Sequence, residues 1–87
     1  MEWIFVARAR FRPSTHPLFS GARPAVLFDG AHYTSEIHGL ADEFFPANKW
    51  IDLLVRVPFI SRPALVGTKF LFTVGARELG EGVVASE

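Results

Sequence analysis

Residues 3–11 read WIFVARARF, and the alternation in this stretch decides the fold class. Successive side chains of an extended strand point to opposite faces, so every second residue shares a face. One face then carries only apolar side chains, at Trp3, Phe5, Ala7, Ala9 and Phe11. The other face carries two aliphatic side chains and then a row of three guanidiniums, at Ile4, Val6, Arg8, Arg10 and Arg12. The pattern predicts a β-strand with one face in the core, ending before Pro13.

Five further segments have the short, alternating character of strands. They are Ala25–Phe28, Ala31–His38, Trp50–Val57, Thr68–Val74 and Leu79–Ser86. The dipeptide Asp29-Gly30 separates the first two, and Asp-Gly between apolar runs is a strong hairpin signal. We expect Phe70, Phe72 and Val74 to share one face of their strand. No segment shows ten residues of helical periodicity. Six short strands without helices predict an all-β barrel or sandwich. We expect residues 1–87 to form a single domain.

Composition excludes several classes of protein. Nine basic and nine acidic side chains cancel, whereas proteins that bind nucleic acid unaided usually carry a basic surplus, so no DNA partner is expected. The absence of cysteine excludes disulfides, a thiolate nucleophile and a cysteine zinc site. The apolar segment at the start of the sequence is too short and too acidic for a signal peptide. No apolar run approaches the roughly 20 residues that are needed to span a bilayer. We expect a cytoplasmic protein without a membrane partner.

Two motifs carry a resemblance to a known family. The first surrounds the start of the second strand, at Pro17, Phe19, Gly21, Arg23, Pro24 and Phe28. The second lies near the end of the chain, at Gly67, Phe70, Gly75, Arg77, Gly80, Gly82, Val83 and Val84. In order and spacing they resemble the third domain of elongation factor Tu, over nearly the full length of the chain. Ser20 and Ala22 replace a lysine and a tyrosine of the family's early loop, and of its Met-Pro-Gly-Asp turn only Pro46 is kept.

The resemblance implies a six-stranded antiparallel β-barrel of the Greek-key type. In the family this domain packs on a GTPase and helps to hold the T stem of aminoacyl-tRNA. Carried over to this chain, the implied partner surface consists of Arg23, Arg77, Gly80 and Gly82. We expect the two glycines to allow a positive φ or a tight bend. No Gly-x4-Gly-Lys-Ser/Thr phosphate loop is present, so GTP binding is not expected.

The row of arginines in the first strand has two interpretations. Arg8, Arg10 and Arg12 are about 7 Å apart in an extended strand, a spacing similar to that of phosphates along a nucleic acid. Alternatively, they are the charges that keep an exposed edge strand from pairing with another chain. The zero net charge and the lack of aromatic residues on that face favour the second interpretation. We keep all three as an extension of the implied partner surface.

The remaining polar and apolar groups give no sign of catalysis. His32, Glu36 and His38 share a strand face, but one strand does not supply the full ligand set of a zinc site. No serine lies in an activated motif such as Gly-x-Ser-x-Gly, and we expect no enzyme activity, no metal and no cofactor. Phe44-Phe45, before Pro46, is interpreted as a plug at one end of the barrel, with a partner-binding patch as the alternative.

Two functions from different classes follow from these observations. The first is a non-catalytic binding module for structured RNA or for a protein of the translation machinery. The second is a structural or assembly protein that docks or self-associates through apolar side chains, at Phe44, Phe45, Trp50 and Leu54.

Overall fold

Seven strands form one antiparallel sheet in the computed structural model, which describes residues 1–14, 18–41 and 43–86. The strands are β1 (Trp3–Phe11), β2 (Ala25–Phe28), β3 (Ala31–Thr34), β4 (Glu36–Gly39), β5 (Ile51–Val57), β6 (Lys69–Val74) and β7 (Arg77–Ser86). Their order across the sheet is β3-β2-β6-β7-β1-β5-β4, and the sheet curls into a half-barrel. The described ranges contain no helix, and therefore no helix that is long and apolar enough to span a membrane. The all-β prediction is confirmed.

The segment expected to form one return strand, Ala31–His38, is divided at Ser35. β3 pairs with β2, whereas β4 pairs with β5 at the opposite end of the strand order. Ser35 is buried, and both its backbone N–H and its Oγ donate to the Pro24 carbonyl oxygen, at 3.2 and 2.6 Å. The backbone bond from Ser35 continues the register in which Ala25 pairs with Thr34, and after Ser35 the chain pairs with β5 as β4. The sheet therefore has seven strands rather than six, and it is a half-barrel rather than the closed barrel that we expected.

Aromatic rings fill the inner face of the half-barrel. All five residues predicted to face inward from β1 are buried, which confirms the alternation in that strand. The Trp3 and Phe5 rings stack with centroids 4.1 Å apart, and the Phe28 and Phe70 rings stack at 4.7 Å. Edge-to-face contacts between Phe5 and Phe70, at 5.7 Å, join the two stacks. Such pairs add to the free energy gained by burying the rings.

A β-bulge changes the inward face of β6 near its end. The register between β6 and β7 shifts between Phe72 and Thr73, and these two consecutive residues are both buried. Val74 is 57% exposed. The prediction that Val74 shares one face with Phe70 and Phe72 is therefore wrong. The extra residue of the bulge is Leu79 of β7, and opposite this bulge the alternation of buried and exposed residues in β6 is broken.

The connection between β4 and β5 packs against one end of the half-barrel. Phe45 is buried, and its ring stacks on that of Phe11 with centroids 5.6 Å apart. The Phe45 backbone N–H donates to the Leu18 carbonyl oxygen at 3.0 Å, which ties the connection to the loop before β2. Phe44 is 65% exposed, and its ring lies 6.5 Å from that of Phe19. The plug interpretation is confirmed for Phe45 and wrong for Phe44.

Candidate partner-binding site

The arginine row, Arg8, Arg10 and Arg12, lies on the outer face of the sheet, and all three residues are exposed. β7 runs beside it and supplies carboxylates. Arg10 Nη2 lies 2.8 Å from Glu81 Oε1, and Arg12 forms an ion pair with Glu78. Arg8 makes no salt bridge with any residue that the structure describes. Two of the three guanidiniums are thus already neutralised by glutamates of the neighbouring strand.

These ion pairs affect binding more than stability. Exposed pairs contribute about 0–1 kcal/mol to folding, because water screens both charges. A phosphate that approached Arg10 or Arg12 would have to displace a carboxylate that already occupies the guanidinium. The surface is consequently a mosaic of both signs and lacks the positive field that attracts nucleic acid.

Trp50 supplies the aromatic side chain that we did not expect on this face. The Arg10 guanidinium carbon lies 5.2 Å from the centroid of the Trp50 ring, a distance typical of a cation–π contact. β5 begins at Ile51, which pairs with Ala9, so Trp50, the residue before β5, is placed beside Arg10. Sequence reasoning missed the contact because nothing in the sequence shows that β5 is the neighbour of β1.

Arg77, Gly80 and Gly82 all lie in β7. Arg77 is exposed, and within the described ranges no carboxylate lies within salt-bridge distance of it. Both glycines are buried, and neither has the positive φ that was one of our two expectations for them. A Cβ atom on Gly80 would lie 2.6 Å from the Arg10 carbonyl oxygen, and one on Gly82 would lie 2.6 Å from Phe70 Cζ. Gly80 therefore allows the close approach of β7 to β1, and Gly82 leaves room for the ring of Phe70.

Arg23 lies on a different part of the molecule from the arginine row. Its Nε is 3.3 Å from Glu36 Oε2 of β4, so it belongs to the side of the sheet where the loop before β2 meets β4. That junction is held by two backbone hydrogen bonds between Ile37 and the loop, from the Gly21 N–H at 2.7 Å and to the Ala22 carbonyl oxygen at 2.9 Å. Pro17, which belongs to the same motif, lies outside the described residues.

Glu36 is the centre of a charged cluster at this junction. His38 Nε2 lies 2.6 Å from Glu36 Oε1, and Arg56, the cross-strand neighbour of Glu36, is itself bonded to Glu2 at 2.8 Å. The hydrogen bond with His38 lowers the pKa of Glu36 most, against a smaller opposing effect of desolvation. The positive charges of His38, Arg23 and Arg56 lower the pKa further. The carboxylate therefore stays ionised to lower pH than an isolated glutamate.

This pKa shift predicts a pH dependence of stability. A carboxylate whose pKa is lower in the folded state stabilises the fold above its unfolded pKa, about 4.3, and this contribution is lost as the pH falls through the folded value. We expect Glu36→Gln to reduce the loss of stability below about pH 4.3, measured by urea unfolding across the pH range. Glu43→Gln, at an exposed glutamate of the connection, is the matched control. Equal pH profiles for the wild type and Glu36→Gln would contradict the prediction.

The four apolar residues of the assembly hypothesis do not form one surface. Phe45 is part of the core, and Phe44 contacts Phe19 at the end of the half-barrel. Trp50 lies on the outer face with the arginine row, and Leu54 is half-buried on β5. These four residues therefore do not define an apolar docking surface.

Neither the potential metal ligands among the described residues nor the comparisons with known proteins indicate a function. Among the described residues, no group of three or more histidine or carboxylate side chains is placed to hold a metal ion. The sequence matches no family model and no curated protein. The function is therefore inferred from the chemistry of the outer face.

Proposed function

We propose that this chain is a non-catalytic binding module whose partner is a protein, contacted through the outer face of β1 and β7. The observation that carries the proposal is the Arg10–Glu81 ion pair with Trp50 packed on the same guanidinium. Arginine and tryptophan are the side chains most enriched at the centres of protein interfaces. A mosaic of paired charges suits a protein surface, which presents both signs, better than it suits a polyanion.

We propose further that the half-barrel is related to the third domain of elongation factor Tu. β3 and β4 stand at opposite ends of the strand order but are separated in the chain only by Ser35. Together they would correspond to one bent strand of a six-stranded barrel. The backbone bonds that join Gly21 and Ala22 to Ile37, across this region, support that correspondence. On this proposal the partner is a cytoplasmic protein of the translation machinery.

Structured RNA is the second candidate partner. It is favoured by Arg8 and Arg77, which are exposed and form no salt bridge with described residues. Two available guanidiniums could each contact a phosphate. Such binding would weaken steeply as salt is raised, because each neutralised phosphate releases counterions.

The test reverses the two available charges. We expect the Arg8→Glu/Arg77→Glu variant to bind the protein partner at least about tenfold more weakly, because it removes the two available guanidiniums and puts carboxylates in their place. Arg62→Glu, at an exposed arginine outside β1 and β7, is the matched control and should bind as the wild type does. The partner is recovered by co-purification from the protein's own cells at low and high salt, with both protein and RNA assayed.

Three outcomes separate the candidates. A protein that is retained at high salt and lost with the double variant supports the proposal. RNA that is released at high salt and lost with the double variant supports the second candidate instead. If the double variant retains the partner as well as the wild type does, both the protein candidate and the RNA candidate for this site are refuted.

A further inference from the structure

One edge of the sheet is uncovered at β3. This strand stands at one end of the strand order and pairs with β2 alone. β4 stands at the other end, but its outer edge is covered, because Ile37 forms backbone hydrogen bonds with Gly21 and Ala22. We refer to the side of residues 31–34 that faces away from β2 as the free edge.

The register identifies the backbone groups on the free edge. Successive residues of a strand direct their N–H and C=O groups to opposite sides. The Ser35 N–H donates to the carbonyl oxygen of the residue before β2, at 3.2 Å, so Tyr33 and Ala31 also direct their groups toward β2. His32 and Thr34 direct theirs to the free edge, and both residues are exposed. Within the described ranges, no strand or loop pairs with them on that side.

β5 covers the same side of the chain a little farther on. Glu36 lies two residues beyond Thr34, so its backbone groups point to the same side, and there it pairs with Arg56. β5 ends at Val57, one residue after Arg56. The free edge is therefore the part of this side that β5 does not reach.

The residues after β5 are unsuited to fill the free edge. If the register between β4 and β5 continued, Pro58 would lie opposite Thr34, and Ile60 would lie opposite His32. Proline has no N–H to donate. Ile60 donates its N–H to the Met1 carbonyl oxygen at 3.0 Å, and its own carbonyl oxygen accepts from the Met1 amino group at 3.1 Å. The chain thus turns to Met1 at the point where it would have paired with β3.

The chemistry of the free edge specifies its occupant. A row of N–H and C=O groups at every second residue is matched by another extended backbone. Natural edges that avoid such pairing often carry a lysine, a proline or a bulge, but residues 31–34 contain no charged residue and no proline, and their register with β2 is regular. The Asp29-Gly30 turn at one end and β5 at the other limit the occupant to a few residues.

We propose that the free edge of β3 binds a short extended segment of another protein, by backbone hydrogen bonds to His32 and Thr34. Tyr33 is half-buried and packs against the core, so a side chain of the segment beside it would be apolar. The side chains beside His32 and Thr34 would be polar, because these two residues face solvent. The site is separated from β7 and β1 by β2 and β6. It therefore does not rest on the function proposed above.

The experiment uses the acetylated and amidated peptide Thr-Val-Thr-Val-Thr, which has this alternation and a high preference for the extended conformation. A short segment held by a few backbone hydrogen bonds binds weakly, so the peptide is titrated to about 10 mM. Nuclear magnetic resonance follows the backbone amides of the chain. We expect the amides of His32 and Thr34 to shift and, at about ten times the Kd, to exchange with solvent about tenfold more slowly. Ala31 and Tyr33 already donate to β2, and their exchange should change little.

Two variants separate the backbone of the site from its side chains. Thr34→Pro removes the N–H on the free edge and should weaken peptide binding about fivefold, since one hydrogen bond is lost. Thr34→Ala, the matched control, keeps the N–H and should bind as the wild type does. Circular dichroism establishes that both are folded. If Thr34→Pro does not fold, the same peptide N-methylated at every residue provides the test, because it cannot donate to either edge of a strand.

The proposal is overturned if the amides of His32 and Thr34 are unchanged over the whole titration. Equal binding of the N-methylated peptide, or equal changes at all four amides of residues 31–34, would also overturn it, because neither result is compatible with pairing along one edge. The assay contains only the chain and the peptide. The Arg8→Glu/Arg77→Glu variant should bind the peptide as the wild type does, so this proposal and the proposed function can fail separately.

Discussion

Phe5→Ala is expected to lower the free energy of unfolding by about 3–5 kcal/mol, the range found for large aromatic side chains removed from cores. Phe5 is 1% exposed, and its ring contacts three others, at Trp3, Phe28 and Phe70. The substitution removes the buried apolar area and leaves a cavity that the surrounding rings fill only in part. A domain of this size has about 4–13 kcal/mol of total stability. The loss is therefore a large fraction of the total stability, and at the lower end of that range the variant would be largely unfolded at room temperature.

The matched control is the same substitution at Phe59, which is 83% exposed. Phe59→Ala should change the free energy of unfolding by no more than about 0.5 kcal/mol. Urea unfolding followed by tryptophan fluorescence and circular dichroism measures both variants. Phe5→Leu, which retains much of the volume, should lie between them. Similar losses at Phe5 and Phe59 would show that the inner face of the half-barrel is not the core.

Gly80→Val should be the second most damaging substitution. A Cβ atom at this position would lie 2.6 Å from the Arg10 carbonyl oxygen and 3.0 Å from Phe11 Cα. Both atoms belong to the backbone of β1, so they cannot rotate away as the end of a side chain can. β1 and β7 would have to separate, and the ladder between the two central strands would be strained. We expect a loss of about 3 kcal/mol or more, at the upper end of the range for overpacked sites.

The control for Gly80→Val is Ala85→Val, which lies in the same strand at an exposed position. It introduces the same side chain with the same β-propensity, and it should change the free energy of unfolding by no more than about 0.5 kcal/mol. Thermal unfolding followed by circular dichroism measures both. If the two valines had equal effects, the cost at Gly80 would be one of β-propensity rather than of a clash between strands.

Local patterns were sufficient to predict much of the fold. The alternation in residues 3–11 identified all five inward residues of β1, because the period of two follows from strand geometry alone. The hairpin at Asp29-Gly30 was equally predictable. Both residues have positive φ, 49° and 82°, the conformation that this dipeptide accommodates in a two-residue turn. Each of these features depends on residues adjacent in the chain.

Features that depend on distant residues were not predictable. The division of Ala31–His38 at Ser35 reflects a change of pairing partner, from β2 for β3 to β5 for β4. The exposure of Val74 results from a bulge in the pairing of β6 with β7, which alternation within β6 does not show. Both were missed because the sequence does not state which strands are neighbours.

The same distinction applies to the candidate site. The sequence alone determined that Arg8, Arg10 and Arg12 face outward together, since their spacing of two places them on one side of a strand. Only the tertiary structure decided what surrounds them. Arg10 pairs with Glu81, which is 71 residues away in the chain, because β7 lies beside β1 on one side and β5 brings Trp50 on the other. The direction of a side chain is set by its own strand, whereas its charge environment is set by neighbours that only folding brings together.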